Sequence, residues 1–191
     1  MKVIIIGGSP RKNGNTERLA KLLEQSLSDR AAAGGIELET EYISLSGTQI
    51  SACRGCRACF DRGEESCPNK DDLLMLYRKL TEADGAVFVS PVYVEDVTGL
   101  MKNFIDRLAF CCHRPVFGGK TAAVLTTSGG GSTRHALQTM DRALRAWGCS
   151  VVASGMFRMG ALMEKEALDR FDGRTRKIAD TLLAGILKKQ Q

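Results

Sequence analysis

Five short apolar runs, each followed by a stretch of helical periodicity, constrain this chain more than any other feature. Residues 2–6, Lys-Val-Ile-Ile-Ile, end at Gly7-Gly8 and read as a strand buried on both faces. Thr16 to Arg30 carries Leu19, Leu22, Leu23 and Leu27 at helical spacing. Residues 38–43 alternate polar and apolar as an edge strand does, and 50–70 is an irregular stretch bearing cysteines. Asp71-Asp72 places negative charge at the start of a helix whose buried stripe is Leu73, Leu76, Tyr77 and Leu80. Gly85–Ser90, Thr121–Thr127 and Val151–Phe157 read as further strands. Met101, Phe104, Ile105 and Leu108 mark one helix, and Ser132–Trp147 marks another, stopped by Gly148. Lys165–Lys188 reads as a last helix with a break at Gly173.

Strand–helix alternation of this kind predicts a parallel sheet covered by helices on both faces, an α/β class, with right-handed crossovers. Ligands on such sheets sit outside the carboxyl ends of the strands, where the strand order reverses. The loops that matter are therefore 7–16, 90–98 and 127–132.

The 191 residues are room for one ordinary domain, read as 1–191, with a cysteine loop at 50–70. A hydrophobic fraction of 43% and a charged fraction of 26% exclude a disordered chain. No apolar run approaches the roughly 18 residues of a membrane span. The opening Met-Lys-Val-Ile-Ile-Ile-Gly-Gly turns polar too soon for a signal peptide, so the expected location is cytoplasmic. In that compartment the seven cysteines read as thiols or metal ligands, not disulfides. The net charge of +5 is scattered among acids, with no dense basic run, which argues against a nucleic-acid partner.

The first loop, Gly7-Gly8-Ser9-Pro10-Arg11-Lys12-Asn13-Gly14-Asn15-Thr16, is built for an anion. Its glycines allow close backbone approach. Ser9, Asn13, Asn15 and Thr16 offer short donors, Arg11 a charged fork, and the following helix its free amides. A nucleoside-triphosphate loop needs four residues between its glycines and a lysine after the second. Here five residues separate Gly8 from Gly14, and Asn15 stands where that lysine would be. The Gly-x-Gly-x-x-Gly spacing of dinucleotide folds is also missing. A terminal phosphomonoester fits better than either, and a capped turn that binds nothing is the plainer alternative.

After the third strand, Pro91 stiffens the turn, Tyr93 offers an aromatic face, and the Val92–Val94 backbone could bond the edge of a heterocycle. After the fourth, Thr127-Ser128-Gly129-Gly130-Gly131 exposes backbone amides ahead of a helix. All three loops fall at one end of the sheet.

The segments Gly8 through Thr16, Ala83 through Tyr93, and Lys102-Asn103-Phe104-Ile105-Asp106-Arg107 together resemble the NADPH-dependent FMN reductase family of flavodoxin-like proteins. The resemblance implies a doubly wound, three-layered, five-stranded sheet in the order 2-1-3-4-5, with FMN at the switch point. By that analogy Ser9, Arg11, Asn13, Asn15 and Thr16 hold the phosphate. Pro91, Val92, Tyr93 and Val94 lie along the isoalloxazine, and Thr127, Ser128, Gly129, Gly130 and Gly131 cover its pyrimidine end. Amides at 129–131 would favour the anionic reduced flavin by about 0.3–2 kcal/mol. The resemblance also implies an NAD(P)H donor, a small acceptor such as a quinone or a free flavin, and a homodimer or homotetramer. No residue is singled out as a general acid or base.

Cys53, Cys56, Cys59 and Cys67 have the spacing C-x2-C-x2-C-x7-C-P. Short gaps let one tight loop deliver three thiolates, with a fourth from farther off, as a [4Fe–4S] cluster needs. The pattern resembles the iron–sulfur flavoproteins, which share the flavin fold and could exchange electrons with ferredoxin-like partners. Zinc, thiol redox chemistry and unliganded thiols stay open beside the cluster. Arg54, Arg57 and Arg62 would offset a cluster's charge or, without one, favour reactive thiolates. Cys111, Cys112 and His113 read as packing residues, and His135 as a surface residue.

Overall fold

A computed structural model describes residues 1–160 and 165–190. Five parallel strands form the centre: β1 Lys2–Gly7, β2 Glu39–Ser44, β3 Gly85–Pro91, β4 Thr121–Ser128 and β5 Ser150–Arg158. They lie in the order β2-β1-β3-β4-β5, the predicted flavodoxin-like topology. In β1, Val3, Ile4, Ile5 and Ile6 are all fully buried, because successive side chains enter opposite layers. Ile4 and Ile6 join Phe88, Val124 and Trp147 under α3 Leu73–Glu82, α4 Gly99–Arg107 and α5 Arg134–Ala146. Val3 and Ile5 join Val87, Leu125, Leu19 and Leu182 under α1 Asn15–Ala33 and α6 Lys165–Gln190. A short α2, Ala58–Arg62, lies in the cysteine loop.

Two details depart from the sequence pattern. α6 runs unbroken through Gly173. A mid-helix glycine costs only about 1 kcal/mol. Flanking anchors outweigh it: Phe171 stacks edge-on against Phe157 at 5.1 Å, and the buried Thr175 hydroxyl meets Ser26 at 2.9 Å. In β5 the register shifts opposite Ala122 and Ala123, whose partners are Val151 and Ala153. Val152 is thereby squeezed out as a bulge, 37% exposed. Among the described residues no helix is long and apolar enough to cross a membrane.

Candidate functional site

The loops after β1, β3 and β4 meet in one cavity of about 390 Å³ at the carboxyl edge of the sheet. Its walls carry Ser9, Arg11, Asn13, Asn15, Thr16, Pro91, Val92, Tyr93, Thr127, Ser128 and Gly129. Gly14, Arg18, Met159 and Gly160 also line it. Gly14 belongs to the anion loop read from the sequence, whereas Arg18, Met159 and Gly160 were missed. Met159 and Gly160 follow β5, and the same strand-end rule that selected the other loops would have found them.

The end expected to hold a phosphate is shaped by local bonding. Ser9 Oγ accepts from the Arg11 amide at 3.1 Å, a tight hydroxyl turn that curls the loop. Asn13 takes a left-handed backbone, φ 55°, and its amide donates to Glu17 Oε2 at 2.7 Å. Hydrogen bonds from Lys21 and that amide hold the Glu17 carboxyl below its usual range. Thr16 Oγ1 and Thr127 Oγ1 meet at 2.8 Å in a buried position, tying the first loop to the end of β4. No side chain caps α1, so its first-turn amides and positive dipole end face the cradle. Arg11 and Arg18 bring cations, and no carboxylate lines the cavity among the described residues. The backbone needs glycine at Gly8, where a Cβ would lie 2.9 Å from that of Met101.

The ring end differs from expectation. The Val92 amide donates to Thr127 O at 2.9 Å and the Tyr93 amide to Asp96 O at 2.8 Å. Those two donors are committed inside the fold, so they do not bond a heterocycle as expected. Tyr93, 42% exposed, remains as an aromatic wall. Val94 and Glu95 form the tip of a tight hairpin at φ 47° and 70°. Val94 is 99% exposed and is not among the residues that line the cavity. Gly130 and Gly131 are not among them either, and Ser128 Oγ donates to Gly131 O at 3.2 Å within that turn. α5 starts at Arg134, two residues beyond the expected Ser132.

The four cysteines of the 50–70 loop line a second, apolar cavity of about 70 Å³. Glycines and one strained residue bend the loop: Gly55 and Arg57 sit at φ 65° and 62°. Both of its ends are tied to Arg107, which donates to Ser51 O at 2.7 Å and pairs with Asp71 at 2.7 Å. Burial pushes the Cys59 thiol up, and neighbouring Cys67, Cys53 and Cys56 act in the same direction. This runs against the expectation that nearby arginines would favour its thiolate. Cys53, Cys56, Cys59 and Cys67 thus share one cavity. No group of three or more His, Cys, Asp or Glu among the described residues is drawn together tightly enough to hold a metal ion. Cys111 is buried in the core, with its thiol pushed up to about 12 by burial, and Cys112 is exposed. His113 stacks edge-on against Phe60 at 5.1 Å, and His135 is exposed.

The family model described as NADPH-dependent FMN reductase matches residues 1–162. The chain belongs to that family. Among its relatives, an iron–sulfur flavoprotein of Archaeoglobus fulgidus is 38% identical over 149 residues, covering 78% of this chain and 64% of the relative. An iron–sulfur flavoprotein of Methanocaldococcus jannaschii is 38% identical over 138 residues, 70% of this chain and 67% of the relative. The chain thus spans about two thirds of these relatives' length. Among solved structures, RosB with bound 8-demethyl-8-formylriboflavin-5′-phosphate is similar in fold, with a TM-score of 0.78 at 16% identity. That match covers 100% of this chain and 80% of RosB.

Proposed function

We propose that the chain works as one FMN-binding domain and is an NAD(P)H-linked, FMN-dependent reductase of a small acceptor such as a quinone or a free flavin. The observation that carries this reading is the single cavity of about 390 Å³ in which three strand-end loops and the uncapped start of α1 converge. When bound, FMN supplies two-electron acceptance from a nicotinamide and delivery to a second substrate. The chain's own residues bind and orient. Arg11, Asn13, Asn15, Thr16 and the α1 amides suit the phosphate, with Ser9 bending the loop beneath it. Tyr93 walls the ring, and Thr127, Ser128 and Gly129 border the far side. The site opens directly to solvent at Tyr93, which leaves room for a nicotinamide and an acceptor to occupy it in turn. Family membership supports the FMN reading, and a relative named NADPH azoreductase, 29% identical over 147 residues, supports the donor class.

We also propose that Cys53, Cys56, Cys59 and Cys67 hold a [4Fe–4S] cluster. Their thiols fit in kind: all four residues line one apolar cavity, and each would ligate a different iron, at wider spacing than around a single ion. The iron–sulfur flavoprotein relatives favour the same reading. The second functional reading, a carrier moving electrons between ferredoxin-like partners, rests on this loop, whose arginines Arg54 and Arg57 stand exposed beside the cysteines. A cytoplasmic homodimer or homotetramer completes the proposal.

One anaerobic experiment tests these points. The expected result is a flavin spectrum, NAD(P)H consumption with a quinone, and iron and sulfide near four atoms each per chain. Protein that fails to bind FMN at micromolar concentration refutes the flavin reading. Wild-type protein without iron or sulfide after anaerobic reconstitution refutes the cluster. NAD(P)H left unconsumed beside ready oxidation of a reduced ferredoxin decides for the carrier. C56S is expected to lose absorbance near ~400 nm beyond that of the flavin.

A further inference from the structure

Arg107, the last residue of α4, is only 5% exposed. Its planar fork does more than pair with a carboxylate. Nη1 donates to Asp71 Oδ2 and to Ser51 O, both at 2.7 Å. Nη2 donates to Asp71 Oδ1 at 3.1 Å and reaches Cys67 Sγ at 3.6 Å. The partners lie 36, 56 and 40 positions away in sequence, so one side chain gathers both ends of the cysteine loop.

We propose that Arg107 is a positioning residue of the cysteine site, holding Cys67 at the cavity and stabilising the more negative, reduced state of a cluster bound there. The proposal rests on the reading of the four cysteines as cluster ligands. Arg54, Arg57 and Arg62 are exposed, and solvent screens their charge. Arg107 is enclosed, and although the paired Asp71 offsets its net charge, its N–H toward Cys67 Sγ is weakened far less by solvent. Hydrogen bonds to cluster sulfurs and local net charge are what set such potentials. Reduction of a bound cluster would add one electron, supplied by dithionite in the titration. No bond forms or breaks, and the extra negative charge settles beside the guanidinium. Asp71 keeps the fork aligned: its two oxygens take one edge and leave the other Nη2 direction for the sulfur.

The test uses the full chain, reconstituted anaerobically with iron and sulfide and titrated with dithionite under electron paramagnetic resonance. D71N/R107M removes the pair without leaving a lone buried charge and without a donor toward Cys67. R107K keeps a charge but loses the fork. R62Q removes an exposed charge from the same loop and serves as the control. D71N/R107M is expected to lower the one-electron reduction equilibrium about tenfold, or about 59 mV. R107K is expected to lower it less, and R62Q least. Loss of iron from D71N/R107M while FMN binding and melting temperature hold also supports the role, read as retention instead of potential. Should D71N/R107M fail to fold, R107K decides by the same shift. Clusters at wild-type potential and occupancy in the variants overturn the inference and leave the cluster reading standing. Wild-type protein that takes up no iron overturns both.

Discussion

Replacing Thr127 with valine separates two things that the hydroxyl pair at the cradle does. Thr16 and Thr127 are each 3% exposed, and their oxygens meet at 2.8 Å. T127V takes the partner from the buried Thr16 hydroxyl, which costs about 1–3 kcal/mol. For a chain of this size each kcal/mol moves the melting temperature by about 2–4 °C. The flavin-free single variant should therefore melt roughly 2–12 °C lower. In T16V/T127V both partners become apolar and keep their shape, so stability should return to within about 1 kcal/mol of wild type. Flavin affinity should not return. If Thr16 accepts from Thr127, its own proton is free for a phosphate oxygen, and a charge-assisted bond of that type is worth about 1.5–3 kcal/mol. FMN should then bind the double variant about 10- to 160-fold more weakly. Thermal denaturation of the flavin-free proteins and fluorescence titration with FMN give the two numbers. A double variant that binds FMN as tightly as wild type would refute Thr16 as a phosphate ligand, whatever its melting temperature.

Three further outcomes are expected. V94N/E95G places at the hairpin tip the residue types that tolerate φ 47° and 70°; it should raise stability by about 1–2 kcal/mol, and an unchanged melting temperature counts against strain there. G148A should lower stability by at least about 1–2 kcal/mol, because φ is 100° and the new Cβ would lie 2.9 Å from the Gly118 amide nitrogen; a melting temperature equal to wild type refutes this. Burial works to raise the Asp71 carboxyl, but hydrogen bonds from Arg107 and from the Ser51 and Leu73 amides outweigh it and hold the group below its ordinary value. Its contribution is therefore complete above the unfolded value of about 3.9 and is lost as pH falls through the lower folded value. D71N, which leaves Arg107 buried and unpaired, should cost roughly 3 kcal/mol at neutral pH and flatten the acid limb of stability below about pH 4; equal acid profiles for D71N and wild type contradict it.

The layers were legible because they follow from short-range patterns: the unbroken apolar run at Val3–Ile6 already says that both faces of β1 are covered, whereas the strand order came from the family resemblance. The cradle was legible for the same reason, since most of its donors fall within one loop. What sequence reading missed depends on distant or atypical pairings. Nothing local marks Val94-Glu95 as a left-handed turn, because neither residue type favours it. Nothing local marks Gly173 as continuous helix either; contacts to Ser26 and Phe157 decide it. Asp71 looked like a charge for the start of α3, and its amide contact to Leu73 is the weaker part of its bonding at 3.3 Å.

The same long-range view links the two cavities. Thr98, which caps α4 by accepting from the Met101 amide at 3.2 Å, also donates to Gly8 O in the loop after β1 at 2.5 Å. At the other end of that helix Arg107 gathers Ser51, Asp71 and Cys67. Nine residues at 1.5 Å each make a strut of about 14 Å between them. Its face toward the sheet is fixed by Met101 and Phe104, both fully buried. The separation of the flavin cradle from the cysteine loop is therefore set by one packed helix and its two end residues, not by the loops that carry the ligands. Loosening Thr98 should disturb the cradle and leave Cys67 in place, while loosening Arg107 should do the reverse, because the buried Met101 and Phe104 hold the helix against the sheet between them.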